Sequence, residues 1–283
     1  MEIKKVGVVG CGQMGTGIAQ VCAQAGYQVT ISEINDELLN KGLAALKSFL
    51  ARSVERGKLP QQDMDAIISR IRGTTRLPDF ADRDLVIEAV PEQMELKKKL
   101  FVELDKICPP QAILASNTSS LSVIDMAAAT RRPDKILGLH FFNPVPVMKL
   151  LEIVRTIATS NDTINTAKDF GKSVGKTTVI AQDAPGFIVN RLLVPFLLNA
   201  IRMCEAGIAT REDIDAGITL GLNHPMGPLA VSDLVGLDTV YFIASSIYDE
   251  LKDPQFASPP LLKKMVTAGW LGRKTGKGFF EYK

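Results

Sequence analysis

The sequence predicts an α/β fold whose first part is a mostly parallel, doubly wound sheet and whose last part is all α-helical. Strand-like apolar runs and helical patterns alternate as far as residue 181, which is typical of a parallel sheet with helices on both faces. A glycine-rich segment at residues 10–15 joins the first strand to the first helix. Beyond the turn residues Asp183-Ala184-Pro185-Gly186, only helical patterns are found until the C-terminus. We therefore place a domain boundary near residue 185.

The first strand, helix and second strand form one βαβ unit. Val6-Gly7-Val8-Val9 predicts a buried strand, and the apolar spacing after residue 15 predicts a helix that ends at Gly26. A second strand over residues 28–32 finishes at Glu33. The unit spans about 30 residues, which is the usual length of a βαβ motif. These features predict a Rossmann-type domain.

The same patterns predict the rest of the first domain, residues 1–184. Charged helical patterns at residues 36–57 and 61–71 predict a helical insertion between strands. Further strands are predicted at residues 85–90, 112–115, 136–140, 149–154 and 177–181, and further helices at residues 92–107 and 161–175. The connection between the strands at 136–140 and 149–154 is shorter than a parallel crossover requires, so these two strands should pair antiparallel. Asn161 and Asp162 are the candidate caps of the last helix.

The second domain, residues 185–283, is predicted to be helical. Helical patterns lie near residues 187–206, 210–220, 229–250 and 259–268. The first of these helices is apolar almost all round, so we expect it to be buried on several sides, in part by another subunit. Pro195 should kink this helix, because proline frees the carbonyl four residues earlier, at Arg191.

Composition argues against several classes of protein. The 33 basic and 31 acidic residues give a formal charge of +2 and are mixed along the chain, so nucleic-acid binding is not expected. No apolar run reaches the roughly 18 residues of a membrane span. The four cysteines are dispersed, which favours a reducing cytoplasm. The two histidines are widely separated, so we expect no metal site.

Residues 10–15 carry the dinucleotide-binding pattern G-x-G-x-x-G. Gly10 permits a tight turn, Gly12 lets the backbone approach a pyrophosphate, and Gly15 packs the helix against the strand. Gln13 and Met14 begin the helix whose N-terminus would face the phosphate charge. The alternative is an ordinary glycine-rich turn, and the position between a strand and a helix argues against it.

Glu33 ends the second strand, where an acidic side chain accepts hydrogen bonds from the adenosine ribose hydroxyls of a dinucleotide. Its charge would repel a 2′-phosphate at the same place. We therefore expect NAD rather than NADP. The alternative is a strand-end acid exposed to solvent.

His140 is the leading candidate for a catalytic residue. It stands where an apolar strand stops and the proline-containing segment Asn143-Pro144-Val145-Pro146 begins. Imidazole titrates near neutral pH, so a histidine at the end of a strand, next to a loop, is placed like a catalytic base. Glu152, on the strand expected to pair with that of His140, would orient the imidazole. The alternatives are a core histidine with one backbone hydrogen bond and a solvent-facing strand acid.

Two polar side chains are candidates for substrate positioning. Ser119 follows the strand at residues 112–115, at the edge where open α/β sheets bind ligands, and its alternative role is a helix cap. Asn190 lies in the first turns of the helix that follows the domain boundary and would hydrogen-bond a hydroxyl or carbonyl. Its alternative is an exposed helical asparagine.

Four motifs occur in order along the chain. They are the glycine pattern at residues 10–15, Ser116-Asn117-Thr118-Ser119-Ser120, the segment at residues 138–146, and Pro185-Gly186-Phe187-Ile188-Val189-Asn190-Arg191. Together they resemble the short-chain L-3-hydroxyacyl-CoA dehydrogenase family, and within it most closely the bacterial 3-hydroxybutyryl-CoA dehydrogenases. The resemblance extends from end to end, including His224-Pro225-Met226-Gly227-Pro228 and the closing Gly276-Lys277-Gly278-Phe279-Phe280.

The resemblance implies an NAD-binding N-terminal domain and a helical C-terminal domain that binds substrate and forms a homodimer. It implies NAD-dependent interconversion of an (S)-3-hydroxyacyl-CoA, such as 3-hydroxybutyryl-CoA, and its 3-ketoacyl-CoA, with hydride transfer at C3. His140 matches the catalytic base of the family and Glu152 the carboxylate that orients it. Ser119 and Asn190 match its substrate-positioning side chains.

Further residues are expected at the cofactor and at coenzyme A. Glu92 and Lys97 match family positions that approach NAD, and Asn117, in the second motif, is expected at the same site. Arg52 and Arg56 are one helical turn apart and would contact the phosphates of coenzyme A. The alternative for this pair is a solvated charged face.

Two other functions remain open at this point. A free β-hydroxy-acid dehydrogenase would share the architecture but use no thioester, and a catalytically silent dinucleotide-binding protein would keep the fold without turnover. The presence of Ser119, His140, Glu152 and Asn190 together argues against a silent protein. His224 lies in a proline-flanked turn, where we expect a structural role.

Overall fold

The computed structural model describes residues 2–282, and within them one eight-stranded sheet is found. Its strands are β1 (Lys5–Val9), β2 (Gln28–Ser32), β3 (Ile71–Thr74), β4 (Leu85–Glu88), β5 (Ile113–Ser116), β6 (Ile136–Phe141), β7 (Leu150–Arg155) and β8 (Thr177–Gln182). Neighbouring strands are parallel except β6 and β7, which pair antiparallel. The predicted mostly parallel sheet, with one antiparallel pair at 136–140 and 149–154, is confirmed.

The order of the strands creates a ligand-binding crevice. Across the sheet the order is β3-β2-β1-β4-β5-β6-β7-β8. The chain therefore moves outward from β1 to β3 and then returns to pair β4 with the other side of β1. Where the direction of winding reverses, the connections diverge and leave a crevice at the carboxyl ends of the two central strands. The glycine-rich segment follows β1 and therefore borders this crevice.

Helices cover the sheet and form the predicted insertion. They are α1 (Gln13–Gln24), α2 (Asp36–Glu55), α3 (Gln61–Ser69), α4 (Met94–Ile107), α5 (Val123–Ala127) and α6 (Asn161–Ser173). The long α2 and the shorter α3 are the insertion, and the Asn35 side chain caps α2 by accepting a hydrogen bond from the Leu38 N–H. The cap of α6 differs from the prediction. Ser160, rather than Asn161 or Asp162, accepts the capping hydrogen bond from the Thr163 N–H.

One strand was missed by the sequence analysis. The pattern at residues 61–71 predicted a helix, but α3 ends at Ser69 and β3 begins at Ile71. β3 has only four residues, and its Arg72 and Gly73 break the apolar run by which a buried strand is recognised. It lies at the edge of the sheet and pairs with β2 alone, so pairing with a neighbour rather than local preference explains the strand.

The chain divides into two compact units, residues 1–184 and 185–283. The second unit contains α7 (Val189–Glu205), α8 (Arg211–Gly221), α9 (Pro228–Val235), α10 (Leu237–Leu251) and α11 (Pro260–Thr267). Its core is formed by apolar side chains of these helices and by Phe256 and Phe279. Pro195 lies inside α7, which continues on both sides of it.

The helix predicted at residues 229–250 is two helices. α9 and α10 are separated by Gly236, whose φ of +100° is accessible to glycine but unfavourable for other residues. The two helices are bent by 95° relative to one another. The apolar pattern continues through Gly236, so the pattern alone did not reveal the break.

Within residues 2–282 no single helix is long and apolar enough to cross a membrane, and only the bent pair of α9 and α10 reaches that length and composition together. The same part of the chain contains no group of three or more histidine, cysteine, aspartate or glutamate side chains arranged to hold a metal ion.

Candidate active site

The glycine-rich segment has the geometry of a tight strand-to-helix turn. Gly10 has a φ of +103°, and its N–H donates to the Ser32 carbonyl at 2.9 Å. A Cβ atom on Gly15 would lie 1.8 Å from the Gly10 carbonyl oxygen, so no side chain is tolerated there. A Cβ atom on Gly12 would meet nothing within 4 Å. The backbone at Gly12 is therefore open to a close approach by a ligand, as the motif requires.

The N-terminus of α1 is suited to bind a pyrophosphate. Its N-cap residue is Gly12, which supplies no side-chain cap, and its first turn contains Gln13, Met14 and Gly15 without an acidic side chain. The N–H groups of a first helical turn have no acceptor within the helix and carry a partial positive charge. These residues therefore fit the phosphate groups of a dinucleotide.

Glu33 is held in a fixed position beside this turn. One carboxylate oxygen accepts a hydrogen bond from the Cys11 N–H at 2.9 Å, and the other accepts one from the Ile34 N–H at 2.9 Å. Each oxygen keeps a lone pair for a further donor, so the carboxylate is arranged to accept ribose hydroxyls. Burial, together with the Glu33 charge, raises the pKa of the Cys11 thiol to about 11. Cys11 is therefore an uncharged, unreactive thiol at neutral pH.

A cavity of about 610 Å³ lies against the glycine-rich segment. Glu33, Gly12 and Gln13 line one side of it, α2 contributes Arg52 and several apolar side chains, and residues 143–146 close another side. Its size is within the range usual for small-molecule and cofactor sites. A second cavity, of about 400 Å³, is lined by Arg52, Arg56 and Lys58 among others.

His140 and Glu152 form a buried pair across two strands. They are direct partners in the antiparallel register of β6 and β7. His140 Nδ1 lies 2.7 Å from Glu152 Oε2, and both side chains are buried. Burying a carboxylate is unfavourable unless a partner compensates it, and the imidazole is such a partner. The pairing of these two strands was predicted from the sequence, and the contact follows from it.

The second motif is held rigidly at the carboxyl end of β5. The Asn117 side-chain oxygen accepts a hydrogen bond from the Phe141 N–H at 2.9 Å, which ties this turn to the strand that carries His140. The Thr118 hydroxyl accepts hydrogen bonds from the N–H groups of Ser120 and Leu121. Asn117 therefore has a structural contact in addition to the cofactor contact that the resemblance implies.

Ser119 does not cap the following helix. α5 begins at Val123, and the N–H groups of Val123 and Ile124 donate to the Asp183 carboxylate at 3.0 and 2.6 Å. Burial raises the pKa of Asp183, and Asp125 adds to this, although the two N–H donors oppose it. The alternative that Ser119 is a helix cap is therefore wrong, because Asp183 has that role.

Lys97 lies in a buried ionic cluster that the sequence analysis did not predict. Its Nζ contacts Glu88 Oε1 at 2.6 Å, Glu92 Oε2 at 3.1 Å and the Val90 carbonyl at 3.3 Å. An ammonium group has three N–H donors, so these three acceptors match its capacity. The Lys97 side chain is 1% exposed. The ammonium therefore holds both carboxylates from inside the protein.

Glu92 connects this cluster to the second motif. Its Oε1 accepts hydrogen bonds from the Thr118 hydroxyl and, at 2.9 Å, from the Ser119 N–H. Burial raises the pKa of the Glu92 carboxyl, but the Lys97 ammonium and the donated hydrogen bonds outweigh it, so the pKa lies below its ordinary value. Glu92 is therefore an ionised carboxylate that fixes the turn at residues 118–121, which we call the Ser119 turn. Glu88, an acid inside an apolar strand, was the available signal for this cluster.

Arg52 and Arg56 lie at the end of α2, where Arg56 is the C-cap residue. Among residues 2–282 no carboxylate lies within ion-pair distance of either guanidinium, and both line the second cavity.

Asn190 belongs to the second unit, where it lies in the first turn of α7 and is 9% exposed. The alternative that it is an exposed asparagine is wrong. His224 is exposed, and its ring centroid lies 5.8 Å from that of Phe196.

A Rossmann-type domain with this glycine turn, and with a buried histidine and carboxylate at the carboxyl edge of the sheet, defines a dinucleotide-dependent oxidoreductase. Family models agree with this class. The model described as "3-hydroxyacyl-CoA dehydrogenase, NAD binding domain" matches residues 5–184, and that described as "3-hydroxyacyl-CoA dehydrogenase, C-terminal domain" matches residues 186–282. The chain belongs to the 3-hydroxyacyl-CoA dehydrogenase family, and its cofactor is NAD.

Individual relatives cover the whole chain. The 3-hydroxybutyryl-CoA dehydrogenase of Mycobacterium tuberculosis is 50% identical over 282 residues, which are 99% of each protein. The crystal structure of FadB2 from M. tuberculosis is 49% identical with a TM-score of 0.98, and each chain is covered completely. The (S)-3-hydroxybutyryl-CoA dehydrogenase PaaH1 of Ralstonia eutropha is 43% identical with a TM-score of 0.95, also with complete coverage of both chains.

Proposed function

We propose that the chain interconverts (S)-3-hydroxybutyryl-CoA and acetoacetyl-CoA with NAD as the hydride carrier, and that His140 is the general base and acid. The observation that carries this proposal is the 2.7 Å contact between His140 Nδ1 and the buried Glu152 carboxylate. Full-length relatives named as 3-hydroxybutyryl-CoA dehydrogenases support the choice of substrate. They also favour a coenzyme A thioester over a free hydroxy acid.

In this proposal Glu152 determines which proton His140 exchanges. Its carboxylate accepts a hydrogen bond from Nδ1–H, which fixes the imidazole tautomer and leaves Nε2 as the atom that exchanges a proton with substrate. NAD bound against the glycine-rich segment would supply the acceptor for the hydride that leaves C3 of the hydroxyacyl group. His140 Nε2 takes the hydroxyl proton in the same oxidation, and the nearby Glu152 charge stabilises the imidazolium that forms. In the reverse direction the imidazolium returns the proton to the ketone oxygen.

The remaining site residues are assigned to binding. Gly12, Gln13 and Met14 would hold the pyrophosphate, and Glu33 would accept the adenosine ribose hydroxyls. Ser119 and Asn190 would hydrogen-bond the hydroxyl and thioester oxygens of the substrate. These assignments rest on the open backbone at Gly12, the fixed Glu33 carboxylate and the rigid Ser119 turn.

We also assign the coenzyme A phosphates to the end of α2. Arg52 lines the large cavity and the second one, so it lies where the two meet, and Arg56 follows one turn later. Guanidinium groups without a carboxylate partner bind phosphate well, because they donate two parallel hydrogen bonds. The Lys97 cluster is assigned to positioning, since its ammonium is buried behind Glu92.

We also propose that two copies of the chain form a homodimer through the second unit and that the protein is located in the cytoplasm. Leu192, Ile208 and Leu220 are 72%, 68% and 86% exposed, which leaves large apolar side chains for another surface to cover. A second copy of the chain would bury them by a symmetric contact. Sedimentation that finds only monomers at micromolar concentration would contradict this assignment. The dispersed cysteines are the basis for the cytoplasmic location.

The proposed reaction is tested by measuring NADH oxidation at 340 nm with acetoacetyl-CoA, longer 3-ketoacyl-CoAs and free acetoacetate. We expect turnover with acetoacetyl-CoA and, at equal concentration, far less with the free acid. Equal kcat/KM for the free acid would show that the thioester contributes nothing to recognition. No oxidation with any of the thioesters would indicate a catalytically silent member of the family.

Cofactor choice depends on Glu33. We expect the wild-type enzyme to prefer NADH over NADPH by about 100-fold in kcat/KM, because bringing a carboxylate against a 2′-phosphate costs several kcal/mol. Glu33→Ser removes the charge and should reduce this preference at least about tenfold. Asp36→Ser, a charge removed from the exposed start of α2, is the matched control. Equal use of NADH and NADPH by the wild-type enzyme would contradict the assignment.

A further inference from the structure

Lys176 is a buried lysine in a place where neither the sequence motifs nor the proposed reaction assigns a role. It lies in the turn between α6 and β8, and its side chain is buried. Its Nζ donates hydrogen bonds to the carbonyl oxygens of Val145 and, at 2.7 Å, Met148. Among residues 2–282 no carboxylate lies within ion-pair distance of this ammonium. Burial lowers the pKa of Lys176, and the nearby Cys22 thiol opposes this shift.

The two carbonyl oxygens belong to the loop at residues 143–148, which we call the His140 loop because it follows the strand that carries His140. The N–H groups of Val147 and Met148 both donate to the Pro144 carbonyl, at 2.9 and 3.0 Å, so the loop contains a tight turn. Lys176 contacts two carbonyls of this turn, those of Val145 near its start and Met148 at its end. Because a buried lysine is unfavourable without acceptors, the lysine and the loop stabilise each other's positions.

The His140 loop also packs against the dinucleotide-binding helix. Val145 is buried, and a Cβ atom on Gly17 of α1 would lie 2.9 Å from the Val145 Cβ. Helix and loop are therefore in close contact about one turn after the start of α1. A displacement of Val145 would change the spacing between the loop and the helix whose N-terminus is assigned to the pyrophosphate.

The same loop is the common wall of the two cavities assigned to ligands. Residues 143–146 line the cavity of about 610 Å³ that contains Gly12 and Glu33. Pro146 and Val147 line the cavity of about 400 Å³ that contains Arg56 and Lys58. The position of the loop therefore affects the width of both cavities at once.

We propose that Lys176 is a positioning residue: its two hydrogen bonds to the His140 loop fix the wall that shapes both the NAD cavity and the coenzyme A cavity. The proposal rests on the proposed function for the identity of the two ligands. Lys176 touches neither of them. Its effect should therefore appear in ligand affinity, while the chemical step, which depends on the pairing of His140 with Glu152 in β6 and β7, should change little.

The test compares Lys176→Met, which keeps the length of the side chain but has no donor, with Lys176→Arg, which keeps donors. Lys172→Met, on the exposed side of α6, is the matched control. We expect Lys176→Met to raise the Kd for NADH, measured by fluorescence titration, and the KM for acetoacetyl-CoA about tenfold each, equivalent to about 1.4 kcal/mol. The kcat should stay within about threefold, and Lys176→Arg should lie between Lys176→Met and the wild-type enzyme.

Hydrogen exchange gives a readout that needs no turnover. The amides of Val147 and Met148 should exchange faster in Lys176→Met than in the wild-type enzyme, because the turn that protects them loses its anchor. If the loop exchanges faster but the Kd for NADH and the KM for acetoacetyl-CoA stay within twofold of wild type, Lys176 has only a structural role and the proposal is wrong. A fall in kcat as large as the fall in kcat/KM would also overturn it.

Two other results also have a defined interpretation. If Lys176→Met does not fold, Lys176→Gln replaces it under the same criteria, since glutamine is too short to reach both carbonyls. If the wild-type protein fails to oxidise NADH with 3-ketoacyl-CoAs while NADH affinity and loop exchange respond as expected, the proposed reaction fails and the role of Lys176 in the cofactor cavity stands.

Discussion

Replacement of His140 by alanine is expected to lower kcat about 10²–10⁴-fold, the effect usual for loss of a general base. The Kd for NADH should stay close to wild type, because the residues assigned to the cofactor are the glycine-rich segment and Glu33 rather than His140. Stopped-flow and steady-state measurements of acetoacetyl-CoA reduction, together with NADH titration, give the two quantities.

His224→Ala is the matched control for this substitution. It removes the only other histidine, which is exposed and lies in the second unit, and turnover should remain within about twofold of wild type because surface substitutions have small effects. If His140→Ala retained wild-type turnover, His140 would be removed from the mechanism. Loss of NADH binding by the same variant would show that its defect is not confined to the chemical step.

Lys97→Met is expected to destabilise the protein by about 3–5 kcal/mol, because it leaves the buried Glu88 and the partly buried Glu92 without their cation. Glu88 is fully buried, and Glu92 keeps only its hydrogen-bond donors. The Ser119 turn, which Glu92 holds through the Ser119 N–H, should loosen, so the KM for acetoacetyl-CoA should also rise. Urea unfolding and steady-state kinetics measure the two effects.

The pH dependence of this destabilisation has a defined sign. In the wild-type protein the pKa of Glu92 is lowered, so its contribution to stability is present above the unfolded pKa, about 4.3, and is lost as the pH falls through the lowered folded pKa. Without the Lys97 ammonium, burial, the largest influence, is opposed only by the Thr118 and Ser119 hydrogen bonds, so the pKa of Glu92 rises from its lowered value. The folded variant then binds a proton more tightly than the folded wild-type protein does. The loss of stability caused by Lys97→Met should therefore be larger at neutral pH than at about pH 4.

Two variants separate this explanation from simple loss of packing. Lys99→Met, on the exposed face of the same helix, should change stability by less than about 0.5 kcal/mol. The double variant Glu88→Gln with Lys97→Met removes one of the two uncompensated charges and should recover part of the loss. The role of Lys97 as the cation of the cluster would be contradicted if the double variant were less stable than Lys97→Met. It would also be contradicted if the loss of unfolding free energy caused by Lys97→Met did not depend on pH.

The parts of the fold that depend on local pattern were predictable from the sequence. The glycine-rich turn, Glu33 and the alternation of strands and helices predicted the first βαβ unit, and a connection too short for a crossover predicted the antiparallel pair β6 and β7. That pairing brings His140 opposite Glu152, so one local inference placed two side chains that are 12 residues apart in contact.

The features that were missed depend on contacts between distant residues. β3 is an edge strand formed by pairing with β2, and the break at Gly236 lies within an unbroken apolar pattern. Lys97 looks like one more charge in a helix with three consecutive lysines, and only the fold places it beside Glu88. The contacts of Lys176 could not be predicted from the sequence either. Its partners are backbone carbonyls about 30 residues earlier, which no sequence pattern identifies.

The most direct test of the central claim is the structure of the enzyme with NAD and acetoacetyl-CoA bound. We expect His140 Nε2 to lie about 2.6–3.2 Å from the C3 oxygen of the substrate, with Nδ1 still paired with Glu152. The same structure would show whether Arg52 and Arg56 contact the coenzyme A phosphates. A different side chain at hydrogen-bond distance from the C3 oxygen, with His140 turned away from it, would contradict the assignment of His140 as the base.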